Sequence, residues 1–332
     1  MDLFPDTDES QIIDAAADFL RQEWPSERLH GLIGFEFSSD GRTSFADLGW
    51  FGIALPEDQG GVGMTAVEEV LFHREMGRYL GPFGVLAIGL AARVAAAAGL
   101  PDLRDELIAG RHAVALAVPA GFDAPQEKWR LFEFVGAGFA LRIEPEGAAL
   151  LSLSGIETVP VPCLDKSVPM ALADFRNADV VAQISGPDIA RRARLAAAAQ
   201  LSGIADAVTQ RINEYAKVRE TFGRAIGSYQ AVRHEIANMA VRSEVARAQL
   251  YYAAISERDG RDDAALQIDA AKLLANEAAV ENCDWNIQLH GGIATTAEHD
   301  AHFFFKRARL MALLFGGDHL LKQRIREAQV AE

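Results

Sequence analysis

The chain has 332 residues, half of them apolar, and a formal net charge of −15. That is ample for a large core over two or three domains, and it argues against sequence-independent nucleic-acid binding, which needs dense Lys and Arg, without excluding a local basic pocket for a phosphorylated ligand. Two cysteines, Cys163 and Cys283, make no disulfide framework; the acidic start (MDLFPDTDES) has no secretion signal's pattern, and the alanine-rich stretch 85–100 is too short and too weak for a membrane span, so the expectation is a cytoplasmic chain with no membrane partner.

Residues 1–112 read as an N-terminal α-helical domain. The stretch 11–24 places Ile12, Ile13, Ala16, Phe19 and Leu20 on one face. An apolar loop at 48–56 leads into a Gly-rich link, and Thr65 with Glu68 three residues later has the capping-box pattern of a helix start. That helix is stopped by Gly81-Pro82; another runs to about Leu100, and a short one covers 102–109. At His112 the texture changes. Short apolar runs at 113–118, 129–135, 140–143, 149–153 and 158–161, separated by Gly, Pro and acidic residues, predict a small β-barrel or sandwich domain over 113–187. From Asp188 to the end, long alanine-rich helices at roughly 188–217, 229–259, 263–290, 298–314 and 319–330 predict a C-terminal α-helical bundle of residues 188–332. With so many apolar positions per helix, oligomerisation is expected.

Several motifs carry no chemistry. Gly60-Gly-Val-Gly lacks the third Gly and the βαβ setting of a dinucleotide fingerprint and reads as a turn before a helix. His234-Glu235 begins like a zinc-protease helix, but Asn238 stands where the second His belongs; His299 and His302, three apart on an expected helix face, have no supporting cluster. No metal is expected.

Two segments stand apart. In RETFGRAIGSYQ, the Arg219 guanidinium suits paired hydrogen bonds to a pyrophosphate, Phe222 offers an aromatic face to a ring system, and Gln230 opens the next helix, where free N–H groups favour an anion. In QLHGG, Gln288 ends a long helix followed by Gly291 and Gly292, a common helix stop that gains meaning from its pairing with the first segment. Together they suggest a flavin site.

At this point the chain resembles the acyl-CoA dehydrogenase family along nearly its whole length: LGWFGIALPEDQGGVGMT, RETFGRAIGSYQAVRHEIANM, QLHGGIATTAEHD and FFFKRARLMALLFGGDHLL occur in the family's order. The resemblance implies an α-helical domain, a β-barrel (here shortened) and an α-helical bundle, with FAD bound between subunits. It implies that Arg219, Phe222 and Gln230 contact the flavin nucleotide, and that Gln288, Gly291 and Gly292 reach the FAD shared with a neighbour. It also implies an acyl-CoA substrate and an electron acceptor such as electron-transfer flavoprotein.

The family's catalytic Glu is missing. The segment that carries it in most members reads Phe315-Gly316-Gly317-Asp318, so the base position falls on Gly316; the alternative position used by some members falls near Ala193. The middle-domain stretches that line flavin and thioester in catalytic members are also absent. This combination is similar to the small, base-less subunits of heteromeric (α2β2) acyl-CoA dehydrogenases, such as those degrading steroid side chains, where a homologous partner supplies the base. The expected function is therefore a subunit of an FAD-dependent enzyme that α,β-dehydrogenates an acyl-CoA. The alternatives are a self-sufficient homotetramer using Asp318 as a displaced base, and a flavin-free structural or regulatory subunit.

Overall fold

The computed structural model describes residues 5–31, 37–121, 125 and 127–330. The chain gathers into two compact units, one drawn from 1–31, 66–81 and 194–332, the other from 32–65 and 82–193.

In the first unit, α1 (Thr7–Glu23) begins four residues before the expected helix. Asp6 explains this: its carboxylate accepts from the backbone N–H groups of Asp8 and Glu9 while Glu9 reaches back to the Asp6 N–H, a reciprocal cap built on Asp instead of Ser or Thr. Helix α3 (Ala66–Arg78) lies against α6 (Asp188–Val218) at very short range. A Cβ at Gly77 would stand 1.9 Å from the Gln200 carbonyl oxygen, and one at Gly203 would stand 1.9 Å from that of Arg74. Glycine on both sides is what lets the two backbones touch. Beside this contact the Arg74 guanidinium donates to Asp206 at 2.6 and 3.0 Å, joining α3 to α6.

Helices α7 (Gln230–Arg258), α8 (Ala264–His290), α9 (Ala301–Leu313) and α10 (Asp318–Val330) complete this unit. Four of the five expected bundle helices fall within a residue or two of these bounds; the expected 298–314 helix starts later, at Ala301. His299 therefore lies in the turn before α9 and His302 on it, and the two do not share a helix face. Between α6 and α7 the chain forms a hairpin of β8 (Glu220–Thr221) and β9 (Arg224–Ala225).

In the second unit, α2 (Ser39–Asp47), α4 (Gly84–Ala97) and α5 (Pro101–Ile108) accompany one seven-stranded sheet. Its strands are β1 (Ala113–Pro119), β2 (Lys128–Phe132), β3 (Ala137–Glu144), β4 (Gly147–Ser152), β5 (Thr158–Val161), β6 (Met170–Asp174) and β7 (Val180–Ser185), in the order β5-β6-β2-β1-β3-β4-β7. All pairings are antiparallel except β1 with β3. Alternate residues of β1–β4 and β6, among them Ala115, Leu131, Ala140, Leu151 and Ala173, close one apolar core on a face of the sheet. Among the described residues, no helix is long and apolar enough to cross a membrane.

Candidate functional site

The end of α6, the hairpin and the start of α7 form one built corner. Strands β8 and β9 pair Glu220 with Ala225 and Thr221 with Arg224, which leaves Phe222 and Gly223 as a two-residue turn. Both turn residues have positive φ, 52° and 78°, as a hairpin turn of this length needs in order to match the strands' twist. Gly223 accepts that conformation freely; for Phe222 it is strained. The hairpin is tied down on both sides. The Ile226 N–H donates to the Arg219 carbonyl at 2.8 Å, and the Tyr229 hydroxyl donates to the Thr221 carbonyl at 2.9 Å. Arg224 lies 4.0 Å over the Tyr229 ring. At its tip the Phe222 ring is 98% exposed. Arg219, just before the hairpin, and Gln230, at the first position of α7, are also exposed. Among the described residues, the Arg219 guanidinium has no hydrogen-bond or ion-pair partner.

The second segment ends α8. Gly291 has φ 75° and ψ −153°, a region that in practice only glycine adopts, and its N–H caps the helix by donating to the carbonyls of Gln288 and Ile287. A side chain at Gly291 or Gly292 would meet nothing within 4 Å. Gly291 is therefore required for backbone shape, and both glycines leave an open approach to the backbone. Gln288, Gly291 and Gly292 all face solvent.

The structure brings the two segments together through residues that sequence reasoning passed over. Tyr215, four residues before Arg219, packs its ring on His290 at 4.4 Å and 32°, and His290 meets His299 edge-on at 4.6 Å. Nothing in the sequence pairs Tyr215 with His290; each reads as an ordinary helix residue. A groove of about 970 Å³ adjoins the corner, with Ala216, Lys217, Gly227 and Arg233 at one end and Arg74 and Arg247 among its other walls.

The position expected to hold a base is built to exclude one. Gly316 is buried in the turn between α9 and α10, at φ 137°, and a Cβ there would lie 2.9 Å from Leu321 Cδ2. The turn is held by a buried polar network. Arg194 donates to the Phe315 carbonyl at 2.9 Å and pairs with Asp269, which also receives Arg324 at 2.7 Å. Lys272, fully buried, donates to Asn276 at 2.5 Å and to the carbonyls of Met311 at 3.2 Å and Gly316 at 3.5 Å. Burial pushes the Lys272 ammonium down to about 7, opposed by Asp318. The Asp318 carboxylate accepts from Asn276 at 2.9 Å. Ala193, the other position for a base, is a fully buried residue of α6. Among the described residues, no group of three or more His, Cys, Asp or Glu side chains could hold a metal.

These residues suit a dinucleotide cofactor: an unpartnered guanidinium for a pyrophosphate, an exposed aromatic face, and two glycines that leave the backbone accessible. The comparisons show the family. Residues 6–110 match the N-terminal domain of acyl-CoA dehydrogenases, and residues 190–330 match the C-terminal domain. The acyl-CoA dehydrogenase FadE34 of Mycobacterium tuberculosis is 33% identical over 83% of this chain, which spans 40% of that relative's length. The acyl-CoA dehydrogenase IpdE2 of the same organism is 31% identical over 84% of this chain and 83% of its own. The crystal structure of the ChsE4-ChsE5 complex from M. tuberculosis has the same fold, with a TM-score of 0.85 at 21% identity over 100% of this chain and 99% of that one. Sequence matches in both terminal domains, with the fold to go with them, make this chain a member of the acyl-CoA dehydrogenase family, oxidoreductases whose cofactor is FAD.

Proposed function

We propose that this chain is the base-less subunit of a heteromeric acyl-CoA dehydrogenase, lending one side of an FAD site while a homologous partner supplies the catalytic carboxylate and the acyl pocket. One juxtaposition carries the reading: the Arg219–Gln230 corner and the Gln288–Gly292 end of α8 are exposed and joined through Tyr215 and His290, while the base position is a buried glycine at φ 137°, where a side chain would be strained and would crowd Leu321. Phe222 adds weight. A hairpin tip that holds an aromatic ring bare to solvent, on a residue of positive φ, points to a contact outside the chain. Bound FAD would accept the hydride from the β-carbon of the acyl thioester. This chain's part is to bind: Arg219 takes the pyrophosphate, the Gly291-Gly292 backbone admits the nucleotide closely, and Phe222 covers an apolar face. Proton removal is the partner's task. Asp318, the alternative base, is an exposed residue whose carboxylate accepts from Asn276.

The substrate class proposed is an acyl-CoA with a steroid-derived side chain. A steroid acyl-CoA dehydrogenase, Tcur3481-Tcur3483, shares this fold with a TM-score of 0.83 at 24% identity, and the ChsE4-ChsE5 neighbour is itself a complex of two chains. The test is flavin content of the co-purified complex. Losing the charged hydrogen bonds of Arg219 in Arg219→Ala should weaken FAD about 10- to 100-fold. An unchanged flavin content would favour a flavin-free role for this chain.

A further inference from the structure

The ring stack that joins the two segments is more than filler. The His290 Nδ1 lies 2.7 Å from the Asn286 carbonyl and donates to it, which fixes the ring plane and leaves Nε2 without the proton. His299 Nδ1 accepts from the Ala301 N–H at 3.1 Å, which anchors that ring to the start of α9. One ring thus belongs to the last turn of α8, one to the last turn of α6, and one to the turn before α9. Directly behind them stands Asp300, which receives Arg211 at 2.9 Å, Ser26 at 3.0 Å and the His30 ring at 2.5 Å. His302 follows on α9, 3.4 Å from Lys306.

We propose that Tyr215, His290 and His299 are positioning residues that lock the Gly291-Gly292 backbone to the Arg219 corner, so that both segments present one recognition surface, and that acid releases the lock. The inference rests on the flavin reading only for the identity of what is recognised. The lock itself is a property of this chain's own contacts.

The charge balance around the rings sets the sign. Burial, with the neighbouring His299 and Arg211 acting the same way, holds His290 below its ordinary value, against the pull of the Asn286 carbonyl. Burial, Arg211 and His30 do the same for His299, opposed by Asp300. The charged groups facing the pair are Arg211 from α6, His30 from the segment after α1 and Asp300 at the start of α9, with Asp300 already committed to His30 and Arg211. Both rings therefore take up a proton less readily than a free imidazole. Acidification puts two imidazolium rings against each other beside Arg211, with no free carboxylate to receive them. The open form takes up protons more readily than the locked form, so the lock is complete above the ordinary imidazole range and weakens as the pH falls below it.

Hydrogen exchange of the full-length, FAD-free chain tests this, comparing peptides over 219–226 and 288–296 at pH 7.5 and 5.5 after correction for intrinsic rates. In the wild type, protection of both peptides should fall together on acidification. His290→Ala should loosen both at pH 7.5 by about 2- to 12-fold, the size of one aromatic pair. His290→Phe, which keeps a ring and cannot take a proton, should hold both at pH 5.5. Tyr215→Leu, which leaves α8 untouched, should loosen 288–296 as well and serves if the alanine variant does not fold. If 288–296 responds to His290→Ala while 219–226 does not, or if the Phe variant releases at pH 5.5 like the wild type, the coupling is wrong. These readouts do not involve flavin. A failed Arg219→Ala test would remove the flavin reading and leave this result standing, and the reverse also holds.

Discussion

Gly316→Glu restores the family's usual carboxylate in this chain, and the structure says that it will not restore activity. The residue sits at φ 137°, where L side chains are rarely found, at a cost of about 1–3 kcal/mol. The new Cβ lies 2.9 Å from Leu321 Cδ2, and Leu321 is itself fully buried, so overpacking adds about 1–3 kcal/mol more. Burying a carboxylate at a turn held through the Gly316 carbonyl by Lys272 and Asn276 offers no compensating donor without breaking that network. The sum, about 2–6 kcal/mol, is a large part of the 5–15 kcal/mol that holds an ordinary fold together. The variant should melt well below the wild type, by about 4 °C or more at 2–4 °C per kcal/mol. It should show no dye reduction with acyl-CoA in the absence of a partner. Circular dichroism melting and a phenazine-coupled assay measure both. A Gly316→Glu chain as stable as the wild type and active alone would refute the argument that this turn is built around a missing side chain.

Lys272→Met removes a buried ammonium that burial holds at about 7, far below its ordinary 10.5. Between those values the unfolded wild type carries a proton that the folded form has shed. Wild-type stability should therefore gain up to about 1.4 kcal/mol per pH unit from pH 7 to 10 through this residue. Denaturant titrations across that range should show this slope lost in the Met variant. The same variant takes the Lys272 donor from Asn276 Oδ1 and from the Met311 and Gly316 carbonyls, the two carbonyls keeping the Leu314 N–H and Asn276, and should lose about 1–3 kcal/mol at pH 10. Gly77→Ala drives a Cβ into the Gln200 backbone at 1.9 Å, which no rotamer change can relieve; a loss of about 3 kcal/mol or more is expected in urea melts. Phe222→Ala removes no packing within the chain, so the melting temperature of the isolated chain should stay the same while sedimentation shows weaker association with the partner.

The helical part of the fold was legible because its punctuation is glycine: breaks at Gly223–Gly227, Gly260 and Gly291-Gly292 fix helix ends to within a residue or two. Strands β6 and β7 were not anticipated, since MALAD is alanine-rich and VVAQIS is an exposed edge strand with little alternation. Helix α2 was missed because SDGRTSFAD offers one buried apolar residue, Phe45. The site divided the same way. Candidates that rest on type and spacing, Arg219 and the two glycines, can be named from the sequence. Those that act through distant contact cannot. Positive φ at Phe222 runs against its own preference, Lys272 within an alanine-rich helix reads as a surface residue, and the Tyr215–His290 contact joins two helices by a distance that no periodicity encodes.

The central claim, half of a flavin site completed by a second chain, is tested most directly by flavin stoichiometry and turnover measured on the same preparations. The chain purified alone and the chain co-expressed with a homologue carrying the missing Glu should be compared for FAD per polypeptide and acyl-CoA-dependent dye reduction. The account predicts little FAD and no turnover from the lone chain, and both from the complex. One FAD per polypeptide with full turnover from the lone chain would contradict it.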